Sequence, residues 1–255
     1  MITKAPLILV LLIAATSLGQ NPPATKRQLF DFRIEKRNSP PKVGPGLQRT
    51  VLTKVFRRYL TDDTRCKSNF EASGNDYLAA ARKAGQFVPS ILDSTSGSFT
   101  AAGKTEVAYL ISVGECNASH ADNYGSKRVA IFSGDELVAN FDINFNSSIL
   151  KKTDLNGDGI NELLLATGDM AQGTLVETAA LYSFENGKPN VIEDFGQVTE
   201  DSCASGMPGS DAKAVVLEIG VATQGKMPKF KIDNYVSPCR NVKRWRFVST
   251  GKLDQ

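Results

Sequence analysis

From Gly97 onward the chain is a succession of short apolar segments broken by turn residues, and that pattern leaves few architectures open. "EVAYLISV", "RVAIF", "LVANFDI", "ELLLAT", "LVETAALYSF", "NVIEDF", "AVVLEIG" and "KFKID" all have strand length and a β-branched or aromatic bias. "SGDE" and "ENGK" stand between pairs of them and read as hairpin turns. "VKRWRFV" alternates apolar and basic residues, as a half-exposed edge strand does. Residues 97–255 are therefore predicted to form one β-rich domain.

The residues before it read differently. "LQRTVLTKVFRRYL" spaces Val51, Leu52, Val55 and Phe56 along one helical face. "NDYLAAARKAG" can be capped by Asn75 or Asp76 and closed by Gly85, and Pro89 stops any continuation. Residues 48–96 are thus expected to be a small helical segment. Residues 20–47 contain "NPPATKRQ" and "RNSPPKVGPG", proline-rich and basic, and read as an extended linker. Residues 1–19 read as a signal peptide: Lys4, then the apolar "APLILVLLIAA", then Ser17 and Gly19 at cleavage-site spacing, which puts the mature start at Gln20. The apolar run is too short for a membrane span. The expected location is secreted or periplasmic, with no membrane span after cleavage.

Charge is unevenly spread. Residues 20–58 carry ten Lys/Arg against Asp31 and Glu35, a net of +8. Residues 59–255 carry 19 basic and 25 acidic residues, a net of −6. The basic arm is either a solvated linker or a contact for an anionic envelope polymer. Nucleic acid is not expected as a partner, because the body shows no basic face with interleaved aromatics. Four cysteines, Cys66, Cys116, Cys203 and Cys239, suit two disulfides in an exported chain. Three pairings exist; Cys66–Cys116 with Cys203–Cys239 is favoured, since each closes a moderate loop. None has the CxxC spacing of a thiolate metal site.

An internal repeat is also visible. "SFTAAGKTEVAYLI" aligns with "DLNGDGINELLLAT", so that Ser98 falls on Asp154, Gly103 on Gly159 and Glu106 on Glu162, an offset of 56 residues. A poorer third copy starts near "SDAKAVVLEIG", about 50 residues further on. This is the length of a β-propeller blade. The fold class expected is mainly β, with two to three propeller-like antiparallel blades in an open or partial propeller, preceded by the helical segment.

The second copy carries the chemistry. Asp154, Asn156 and Asp158 place side-chain oxygens at loop positions 1, 3 and 5, Gly159 permits a sharp bend, Ile160 offers its carbonyl, and Glu162 stands at position 9. Calcium takes about six to eight oxygen ligands, and alternating donors suit one centre. An EF-hand would need a bidentate Glu at position 12, where this chain has Leu165. The run DxNxDGxxE leading straight into an apolar strand resembles the cation loops of FG-GAP and VCBS-type repeats. That resemblance implies a blade stiffened by Ca²⁺, with Asp154, Asn156, Asp158, the Ile160 carbonyl and Glu162 as ligands. It covers this loop and its strand closely and about 100 further residues loosely. Glutamate stands where the family usually has aspartate. The first copy keeps only Glu106 of the acids, so one calcium site is expected.

Catalytic patterns are weak. His120 lies in "CNASHADNYGSKR" beside Ser119 and Asp122, but adjacent residues do not converge as a triad requires, and no GxSxG elbow exists. Asp122, Asp142 and Glu193 are the candidates for a glycosidase-like carboxylate pair. No phosphate-cradling glycine loop follows a strand. Asn117 and Asn146 are in glycosylation sequons, relevant only in a eukaryotic host. The reading is a non-enzymatic calcium-binding β-repeat protein that serves as an interaction or surface-associated module, its partner an unknown protein or an envelope or surface polymer. The alternative is a secreted hydrolase in which calcium is incidental.

Overall fold

The computed structural model describes residues 27–34, 43–56, 89–112, 127–144, 148–221, 223–241 and 244–252. The expected signal peptide, the helix at 75–85, Cys66, Cys116, Asn117, Ser119, His120, Asp122 and Asn146 lie outside the described residues.

The described chain is mainly β. Its elements are β1 (Arg27–Asp31), α1 (Pro45–Phe56), β2 (Ser90–Gly97), β3 (Glu106–Ser112), β4 (Lys127–Ser133), β5 (Glu136–Asn144), β6 (Ser148–Thr153), β7 (Glu162–Ala171), β8 (Thr174–Ser183), β9 (Asn190–Asp201), β10 (Asp211–Ile219), β11 (Phe230–Pro238) and β12 (Arg246–Thr250). β2 to β5 form one four-stranded sheet in chain order. β6 to β12 run in chain order through a second, curled antiparallel sheet, and β1 pairs with β10. The sheets meet where Ile149 N donates to Asp93 Oδ2 at 3.2 Å, and where Lys152 Nζ donates to the Ser96 carbonyl.

Side-chain alternation distributes the core into three layers. Val51, Leu52 and Val55 of α1 pack on Tyr109, Ile111, Ala130 and Phe132, one face of β3 and β4. The opposite face of those strands, Ala108, Leu110, Val129 and Ile131, packs with Leu163 and Leu165 of β7. The other face of β7, Leu164 and Ala166, joins Leu181, Phe195, Val215 and Leu217 inside the curled sheet. Leu163 to Ala166 are all 0% exposed. The uninterrupted apolar run "LLLA" is what a strand buried on both faces requires, whereas a half-exposed strand would alternate.

Three expected boundaries are corrected. Residues 27–31 lie in the stretch read as a linker, yet they form β1, because Leu29 and Phe30 complete the core of the curled sheet. Arg33 then clamps Asp31 with two hydrogen bonds of 2.9 and 2.7 Å and stacks 4.0 Å above the Tyr235 ring. The helix starts at Pro45 rather than at 48, since proline suits a first turn that needs no N–H. Residues 90–96, read as the end of a helical segment, belong to β2, whose polar "SILDSTSG" pairs along β3. The Cys203–Cys239 disulfide is present, with Cα atoms 5.3 Å apart. "SDAKAVVLEIG" does not open a separate sheet, because β10 pairs with β9 on one side and with β11 on the other. "VKRWRFV" contributes β12, an edge strand exposed along its whole length. Among the described residues no helix is long and apolar enough to cross a membrane.

If β1 is structural, Leu29→Ala should lower unfolding stability by about 2–5 kcal/mol, the range for emptying a buried leucine site. Urea denaturation checks this; a change within about 0.5 kcal/mol would be the behaviour of an exposed tether.

Candidate metal centre

The two aligned segments form corresponding loops. β2 ends at Gly97, paired with Glu106, and β6 ends at Thr153, paired with Glu162. Each loop between them is followed at once by an apolar strand. In both, the closing glutamate is 1% exposed and turns back into its own loop. Glu106 Oε2 accepts from Phe99 N at 2.7 Å, and Glu162 Oε2 accepts from Leu155 N at 2.9 Å, so the same backbone position is bonded in each. Gly103 and Gly159 both adopt left-handed φ, +73° and +85°.

The loops touch each other. Asn161 N donates to the Ser98 carbonyl at 2.6 Å, and Ser98 N donates to Asn161 Oδ1 at 3.0 Å. A Cβ on Gly159 would stand 3.1 Å from Ala102 Cβ. Asn186 N holds the Thr100 carbonyl at 2.9 Å, and Gly225 N, from the β10–β11 connection, holds the Asn156 carbonyl at 2.8 Å. Sequence reading missed Thr100, Asn161 and Gly225. Polar loop residues carry no periodicity, and only the folded arrangement reveals which backbone groups they meet.

The loops differ in what satisfies the glutamate. Glu106 accepts from Phe99 N, from Thr100 N at 2.9 Å, and from the Thr100 hydroxyl. The residue corresponding to Thr100 is Asn156, and its side chain turns away: Nδ2 donates to Asp158 Oδ2 at 2.7 Å, and Oδ1 accepts from Asp158 N at 3.1 Å. Glu162 is left with Leu155 N and its own backbone N–H among the described residues. Burial pushes its pKa up to about 7, and the negative charges of Asp158 and Asp154 add to the rise. Asp154 itself accepts from Gly157 N at 2.8 Å and Gly159 N at 3.0 Å, one bond on each oxygen. Asp158 Oδ1 accepts from Ile160 N at 2.7 Å.

All five expected donors are therefore in one short loop, and all are hard oxygens, the set that suits calcium rather than zinc or copper. Among the described residues no three Asp, Glu, His or Cys side chains meet at metal-ligand spacing. The carboxylates of Asp154 and Asp158 are directed at backbone N–H groups. Each carboxylate has about four lone-pair positions, so these bonds leave acceptor capacity on both. The donor chemistry fits a calcium ion. As they stand, the Asn156 and Asp158 side chains are bonded to each other, and the three carboxylates are not gathered at one centre.

The catalytic candidates are dispersed. Asp142 lies on β5 beside Arg128, 4.0 Å away, and Glu193 lies on β9, 3.8 Å from Lys252, so the two carboxylates belong to different sheets. A cavity of about 940 Å³ opens beside the disulfide, and among the described residues the one carboxylate lining it is Asp211.

Glu162 sets a pH dependence. In the unfolded chain it ionises near 4.5, in the folded chain at about 7. Between those values the folded state holds a proton that the unfolded state has lost. The stability contributed by the neutral carboxyl is full below about 4.5 and is lost as pH rises through about 7. Melting temperatures in chelator should fall over that window, and Glu162→Gln should flatten the fall. An equal fall in the variant would assign it elsewhere.

Comparison of the chain with family models, with curated proteins and with solved structures found no match.

Proposed function

We propose that this chain is an exported, non-enzymatic β-repeat module ordered by one calcium ion, and that it works as an interaction or surface-associated protein. The observation that supports this most is the unequal treatment of two corresponding glutamates. Glu106 accepts three hydrogen bonds from its own loop. Glu162 is equally buried but has fewer donors and two carboxylates beside it. A divalent ion held by Asp154, Asn156, Asp158, the Ile160 carbonyl and Glu162 would supply the missing positive charge. It would also fix the entry to β7. The resemblance of DLNGDGINE to FG-GAP and VCBS-type loops supports the same reading. So does the four-stranded meander β2–β5, which has the connectivity of a propeller blade. In this view β6–β9 is a second blade, extended by β10–β12 into a partial propeller. The apolar pattern of residues 1–19 and the Cys203–Cys239 disulfide support secretion or a periplasmic location in this reading.

Calorimetric titration of the purified protein should give calcium-binding heat for wild type and none for Asp154→Ala. Calcium at 100-fold above its dissociation constant should add about 2.7 kcal/mol of stability. No binding heat for wild type, or equal heat for the variant, contradicts the proposal. Two further variants separate the loops. Glu162→Gln should abolish the calcium effect. Glu106→Gln should cost about 1–3 kcal/mol, as weakening the acceptor of buried donors does, with calcium stabilisation retained.

A further inference from the structure

The end of β10 and β11 remote from the acidic loop carries a second feature. The β10–β11 connection reaches the acidic loop through Gly225. The opposite ends of those strands open into two adjoining cavities, of about 940 and about 370 Å³, which share Asp211, Val236 and Arg246. Among the described residues, Arg240, Arg244, Arg246, Lys213 and Lys252 line them against one carboxylate, Asp211, a net of +4. This is a concentrated reversal of sign in a body whose net charge is −6.

The cations are not equivalent. Lys213 is paired with Glu200 at 3.1 Å, and Lys252 stands 3.8 Å from Glu193. Among the described residues Arg240, Arg244 and Arg246 have no carboxylate partner. The Cys203–Cys239 disulfide lies in the wall of the larger cavity and ties the turn that carries Arg240 to the β9–β10 connection, so the groove is braced before any ligand arrives. Beside it runs β12. Its inner side pairs with β11, and among the described residues its outer backbone edge pairs with nothing. Phe247 and Val248 on this strand are more than half exposed.

We propose that this groove and edge bind an extended acidic peptide, added to the sheet as a strand next to β12. Charge complementarity selects an anionic occupant. The unpaired backbone selects a polypeptide over a polysaccharide, because only a polypeptide supplies matching N–H and C=O groups. In an added strand alternate side chains share one face. Glutamate or aspartate at every second position would therefore meet Arg244 and Arg246, while apolar residues between them lie toward the exposed Phe247 side. The proposal does not depend on the calcium reading.

Fluorescence anisotropy with a labelled (Glu-Val)5 peptide, in chelator, tests this. Wild type should bind. The exposed-site variant Arg244→Glu/Arg246→Glu, with its fold checked by circular dichroism, should bind at least about tenfold more weakly. The same peptide N-methylated at alternate residues keeps its charge but loses edge hydrogen bonds, and it should also bind at least about tenfold more weakly. Absence of wild-type binding, undiminished binding of the N-methylated peptide, undiminished binding by the double variant, or equal affinity for polygalacturonate would each overturn the proposal.

Discussion

The structure depends on β7 being buried on both faces. Leu163 and Leu165 pack into the four-stranded sheet, and Leu164 and Ala166 pack into the curled sheet. A strand in that position cannot shift register by one residue without exchanging the partners of both cores. Its starting point must therefore be defined, and Glu162, the first residue of the strand, is the side chain that returns into the preceding loop. Local loop chemistry and global packing meet at this residue.

The two glutamate loops show how a repeat can diverge without changing its backbone. Both fold the closing carboxylate inward, and both use a left-handed glycine at the same place. In one, threonine at the third position supplies a hydroxyl and a backbone N–H to the carboxylate. In the other, asparagine at that position bonds to aspartate instead. A buried carboxylate without enough donors is costly. It either takes up a proton, as the raised pKa of Glu162 indicates, or gains a cation, as the proposed function holds. The contact between the loops through Asn161 means that ordering one constrains the other.

Much of the architecture was legible in the sequence, because strands with one or two buried faces leave an apolar signature. "EVAYLI", "RVAIF" and "ELLLAT" became β3, β4 and β7, and the correspondence of Glu106 with Glu162 was visible as an alignment. β1 and β2 were missed for opposite reasons. Leu29 and Phe30 are apolar but lie among basic and proline-rich residues, which favoured a linker reading. "SILDSTSG" is largely polar, and its strand conformation comes from pairing along β3 and from Asp93 reaching Ile149 N. The five loop oxygens could be named from spacing alone. The bonding that distinguishes Glu162 from Glu106 could not, since only the fold shows that the Thr100 hydroxyl reaches Glu106 while the Asn156 amide turns to Asp158. The arginine groove was also hidden: "CRNVKRWRF" reads as an ordinary basic edge until the β9–β10 connection is seen opposite it.

The measurement that tests the central claim most directly is native-state amide hydrogen exchange across β7, with and without calcium. The account predicts that protection at Leu163 to Ala166 rises on calcium addition, while β12, at the far edge of the sheet, is unchanged. Identical protection of β7 in both conditions would contradict it, because the acidic loop would then have no influence on the strand it introduces.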